Sequence, residues 1–143
     1  MINAKDVITM LVPFPNINSG LAVKAHMYIC WHSDDPHYQF VKCQSLKPYM
    51  IGNPMFRHYI DEPADLTRNP FNHTSRIDCD KSFITGSVVY DDKLKTSSRP
   101  DVCDELYGRI LDELLSDGYT DNIINEYELV SLNRLIRWQI SDS

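Results

Sequence analysis

Five histidines are the side chains here best suited to move a proton near neutral pH: His26, His32, His37, His58 and His73. They fall in no recognised metal-ligand spacing. Acid–base work is the chemistry they offer, and His26 and His32 are favoured because they flank the segment 13–24. Phe14, Tyr49 and Phe56 are placed either to stack on nucleobases or to pack in a core. Asp34 and Asp35 read as a solvated turn. Cys30, Cys43, Cys79 and Cys103 contain no C-x-x-C pair and lie among apolar neighbours, so they read as reduced, buried thiols of a cytosolic protein.

These residues need elements to hold them. Val7 to Val12 is apolar and partly β-branched, which predicts a strand, and Pro13 and Pro15 stop it because neither can donate to a ladder. Asn16 to Gly20 is turn chemistry, and Val23 to Trp31 reads as the returning strand. Hairpin loops usually have about two to five residues, so the long 13–24 connection is expected to form part of any active surface. Tyr38 to Ser45 alternates as a third strand. Residues 46–54 read as a loop or short helical turn, and Phe56 to Ile60 as a short strand. Glu62 to Ser75 reads as a long, mobile surface loop. Arg76 to Lys81 and Phe83 to Val89 form the last sheet region, with a bend or bulge at Gly86.

A helix follows, with Ser98 as N-cap, Pro100 in the first turn and Gly118 as terminator. Its apolar stripe is Val102, Leu106, Ile110 and Leu114. The apolar residues of the tail predict a second helix from about Asn122 to Trp138. The chain of 143 residues suits one folded unit, with 1–118 as the main body and 119–143 packed on it. Its net charge of −6 argues against broad nucleic-acid binding while leaving room for a local basic cleft. No apolar signal region opens the sequence and no apolar run reaches the length needed to span a bilayer, so a cytoplasmic protein without membrane contact is expected.

The order of motifs resembles the MazF/PemK/Kid family, the toxins of type II toxin–antitoxin modules. The carriers are the stretch Asp6 to Pro15, Asn18-Ser-Gly20, Ala22-Val-Lys-Ala25 and the strand His26 to Cys30. Val41-Lys-Cys-Gln-Ser45 matches the family strand that ends in Thr or Ser. Ile77 to Ile84 matches its late C-D-Q-x-R-T-I-like element, and Asp104 to Leu111 its closing helix. The match runs over residues 5–116.

That resemblance implies a mainly β fold with some helix: a small SH3-like β-barrel closed by a C-terminal helix, here with an extra helical tail, and usually a homodimer. It implies a metal-independent endoribonuclease that cuts single-stranded RNA, such as mRNA, through a 2′,3′-cyclic phosphate, without a cofactor and restrained by an antitoxin protein. The family arginine of G-x-R-P reads Lys24, and its proline reads Ala25. Lysine keeps the charge but not the bidentate fork. The resemblance makes Lys24, Ser45 and Arg76 the catalytic candidates: Lys24 for phosphate stabilisation and proton transfer, Ser45 for a hydrogen bond to phosphate, Arg76 as auxiliary cation. Phe14, Asn18, Ser19, His26 and Asp80 are the substrate-binding candidates. The acidic charge, the lost arginine and the added tail suggest a rival, a degenerate member that binds a protein partner.

Overall fold

In the computed structural model, which describes residues 1–140, the chain is mainly β with a few helices. The strands are β1 (Val7–Met10), β2 (His26–Asp34), β3 (His37–Ser45), β4 (Tyr59–Glu62), β5 (Ser75–Asp78), β6 (Lys81–Thr85), β7 (Val88–Tyr90), β8 (Thr120–Ile123) and β9 (Ile136–Trp138). The α-helices are α1 (Gly20–Val23), α2 (Asp104–Asp117) and α3 (Glu126–Leu132), with 3-10 turns at Pro48–Met50 and Asp92–Leu94. One sheet runs β1-β2-β3-β5-β4, and β6 branches from β3 to carry β8. All its pairs are antiparallel except β6 with β8. A separate antiparallel pair joins β7 to β9.

β2 and β3 are the centre, and the alternation of their side chains feeds two cores. Tyr28, Cys30, Tyr38 and Phe40 point to one, with Ile8, Phe83 and Tyr90. Ile29, Trp31, Val41 and Cys43 point to the other, which α2 covers with Val102, Leu106, Ile110 and Leu114. Burial on both faces is why β3 carries apolar residues at successive positions, as parallel-type strands do.

Two expectations fail and a third holds only in part. The helix stripe is as read, but α2 starts at Asp104, not at Ser98. Residues before it are drawn along β1: Val7 N–H donates to the Pro100 carbonyl at 2.9 Å, and Val102 N–H to the Lys5 carbonyl at 3.0 Å. Cys103 is the N-cap, its Sγ accepting from Leu106 N–H at 3.5 Å. Gly118 ends the helix at φ 78°, a conformation other residues rarely adopt.

The second failure is the single tail helix over 122–138. The segment forms β8, α3 and β9 instead, because open edges of β6 and β7 accept strands from it. Ile124, Leu129 and Ile136 enter the first core. The third concerns 62–75, which lies at the surface over 63–67 and 72–74 but is anchored inside at Glu62 and 69–71. Asn69 is fully buried and Glu62 only 2% exposed. Asn69 Nδ2 donates to Glu62 Oε2 at 2.9 Å and to the Pro63 carbonyl at 3.0 Å, and its Oδ1 accepts from Phe71 N–H at 3.0 Å. Arg68 Nε donates to Glu62 at 2.8 Å. A side chain that reproduces backbone hydrogen bonds lets an irregular segment go inside.

Candidate functional site

The 13–24 connection folds back on the sheet, with Pro13 and Ala22 buried and 15–18 exposed. Val12 N–H donates to the Leu21 carbonyl at 2.8 Å, folding the loop back on the end of β1. Ser19 opens α1, and Lys24 closes it in an extended conformation. The chain then enters β2 at His26, which pairs with Met10 of β1. Lys24 and His26 therefore stand at the rim of the sheet. Ser45 stands there too, at the last position of β3, opposite Ser75.

Two clefts meet at this rim. The first, about 360 Å³, is lined by Lys24, His26, Ser45, Lys47, Tyr49 and His73 among others. The second, about 540 Å³, has an apolar wall of Phe14, Leu21, Val23 and Phe83, with Ser19, Lys42 and Asp78. Lys24, His26 and Gln44 line both. The ridge between the clefts is thus a cation and an imidazole.

His26 Nδ1 lies 2.9 Å from the Lys24 carbonyl oxygen. That oxygen can only accept, so Nδ1 carries the proton and Nε2 is left as an acceptor. Burial, with smaller contributions from the charges of Lys42 and Lys24, holds the imidazole below the ordinary histidine range, against the upward pull of its carbonyl contact. At neutral pH His26 is a neutral base. Lys42 is paired with Asp78 at 3.0 Å, whereas among the described residues Lys24 has no ion-pair partner. Three of the four thiols offer no nucleophile: burial pushes Cys30 and Cys79 up to about 12, and Cys43, wholly enclosed, well above its usual range.

Of the residues expected from sequence, Lys24, His26 and Ser45 come together in the first cleft. Phe14 and Ser19 line the second. Phe14 packs edge-to-face on Phe83 with centroids 5.3 Å apart, and the buried Ser19 hydroxyl oxygen has no hydrogen-bond partner among the described residues. Asn18 is exposed, its backbone N–H bonded to Asn16 Oδ1 at 2.9 Å, and lines neither cleft. Asp80 is elsewhere, paired with Lys81 at 3.1 Å beside Arg57 and Tyr119.

Arg76 is a correction. It is 1% exposed, and its guanidinium is used up inside the protein. Nε and Nη2 donate to the two Asp61 oxygens at 2.8 and 2.9 Å, and Nη1 to the Met50 carbonyl at 2.9 Å. Its Cζ lies 3.6 Å from the centroid of the Tyr59 ring. The strand reading put Arg76 on the sheet but could not say that β4 and the Met50 turn would cover it. His32 lies six residues along β2 from His26, exposed and outside both clefts. Sequence reasoning did not single out Lys47, and it named His73 only as one of five histidines without favouring it. Their only signals were their types; both sit in loops whose paths the sequence leaves open.

Among the described residues no group of three or more His, Cys, Asp or Glu side chains converges as a metal would need, and no helix is long and apolar enough to cross a membrane. No protein-family model, no curated protein and no solved structure matches this chain.

Proposed function

We propose that this protein is a metal-independent endoribonuclease acting on single-stranded RNA in the Lys24 cleft, a MazF/PemK-like toxin whose sheet is a variant of that family's SH3-like barrel. One observation carries the reading: Lys24, His26 and Ser45, from the end of α1, the start of β2 and the end of β3, line one cleft. The chemistry asks for a base, an acid and donors toward a phosphate. His26 Nε2 takes the proton of the ribose 2′-OH. The 2′-oxygen bonds to phosphorus, the bond to the 5′-oxygen breaks, and a 2′,3′-cyclic phosphate remains. The Lys24 ammonium and the Ser45 hydroxyl bear on the non-bridging oxygens as charge builds there. His73, from the loop before β5, returns a proton to the 5′-oxygen.

In this arrangement His26 takes the place the family gives to an arginine-centred set, and Arg76 takes no part. The test is incubation of the pure protein with total RNA in excess chelator, beside Lys24→Ala and His26→Ala. Discrete cuts with cyclic-phosphate ends in the wild type alone support the reading. Intact RNA at high protein concentration overturns it and favours the protein-binding module. That second reading has its own observation: Val23, on the apolar wall of the second cleft, is 71% exposed, which suits a partner such as an antitoxin.

A further inference from the structure

The lysines of this acidic chain are segregated. A third cleft, about 540 Å³, lies beyond the first and contains Lys93 and Lys95. It shares Thr9, Met27 and Asn72 with the first, as the first shares Lys24, His26 and Gln44 with the second. Together the three clefts take in Lys24, Lys42, Lys47, Lys81, Lys93 and Lys95, every lysine except Lys5. Asp78 is the one carboxylate residue lining them; Lys42 pairs with it, Lys81 pairs with Asp80 at 3.1 Å and Lys95 with Asp6 at 3.3 Å, so that Lys24, Lys47 and Lys93 are the cations of the path without an ion-pair partner among the described residues. A chain with a net charge of −6 has thus gathered its lysines along one path.

We infer that the three adjoining clefts form a single track for an extended single strand of nucleic acid, with phosphate subsites at the unpaired Lys93 and Lys47 leading to the Lys24 ridge and the apolar second cleft taking bases beyond it. Lysine is a point charge on a long stem, suited to following a flexible phosphate backbone without fixing its geometry. Aromatic surface lies along the path for bases: Tyr49, 66% exposed, in the first cleft and Phe14 in the second. The path turns over the sheet rim, from the face that holds Met27 and Cys43 to the face that holds Phe83. A duplex, stiff over about 50 nm, does not follow such a turn. A single strand does. The inference rests on the proposed function only for the strand being RNA and for the place of its scissile phosphate.

The experiment is equilibrium binding by fluorescence anisotropy, using 2′-O-methyl RNA strands of about 4 and about 16 nucleotides, the span of known single-strand sites. These strands have no free 2′-OH, so binding is read apart from cleavage. The long strand is expected to bind at least tenfold more tightly than the short one. Lys93→Ala and Lys47→Ala, both exposed side chains without an ion-pair partner among the described residues, should each shrink that ratio. Each should also reduce the slope of log affinity against log salt by about 0.7. Equal affinity for both lengths, an unchanged slope in both variants, or equal competition by polyglutamate of the same charge overturns the track. Binding with these features but without RNA cleavage leaves the track standing and removes the nuclease; cleavage of a short RNA with no length effect does the reverse.

Discussion

In the proposed reading Lys24 takes the place of the family's arginine, and the exchange sets what can be asked of it. An ammonium stabilises a developing phosphate charge but does not grip two oxygens at once. Removing one such preorganised donor costs about 10²–10³-fold in rate, so Lys24→Ala should lose that much cleavage in single-turnover assays with the melting temperature unchanged. Lys24→Arg should retain cleavage. His26 has a pH signature. Its pKa is lower folded than unfolded, so the unfolded chain binds the proton first as pH falls. Stability is therefore lost on acidification just below pH 6.5, the ordinary histidine value, and recovered as pH rises. His26→Gln should flatten the melting-temperature profile in that window. Arg76 reads the other way, as structure. Asp61→Ala leaves the guanidinium without its carboxylate at a site that is one-third exposed on the Asp61 side, and should cost about 1–3 kcal/mol in urea unfolding.

At the scale of elements, α2 and the tail behave differently from their sequence patterns. The stripe Leu106, Ile110 and Leu114 is fully buried on the second core, and Leu106→Ala should cost about 2–5 kcal/mol, checked by chemical denaturation. The helix period was legible because every fourth residue is large and apolar. Its start was not. Ser98-Arg-Pro100-Asp101 is good capping chemistry, but bonding to Lys5 and Val7 competes for the same backbone and wins. The tail is held by Asn133, whose side chain copies a strand partner. Its Oδ1 accepts from Leu11 N–H at 2.9 Å, and its Nδ2 donates to the carbonyls of Leu11 at 2.7 Å and Leu129 at 2.9 Å. Asn133→Leu fills the space but strands the Leu11 groups, and should destabilise by about 1–3 kcal/mol.

For the molecule as a whole, the tail is part of the core. Ile124, Leu129 and Ile136 pack with Phe83, Val88 and Tyr90, and β9 supplies the only ladder of β7 among the described residues. A fragment ending at residue 118 should therefore show no cooperative thermal transition by circular dichroism. Retention of a sharp transition in that fragment would mean that the second core alone carries the fold. Net charge also misleads at this scale. A total of −6 says little about a binding surface, since interaction with a polyanion depends on where the cations lie within roughly a Debye length of about 8–10 Å.

The sequence by itself determined the mainly β character, strand β3 nearly to the residue and the α2 stripe. These are readable because side-chain periodicity and proline act within a few residues along the chain. Tertiary structure decided which open strand edges the tail would pair with, that Arg76 would be enclosed by Asp61, Tyr59 and Met50, and that Lys47 and His73 would join Lys24 from distant loops. Those outcomes depend on contacts between segments far apart in sequence, which no local pattern encodes.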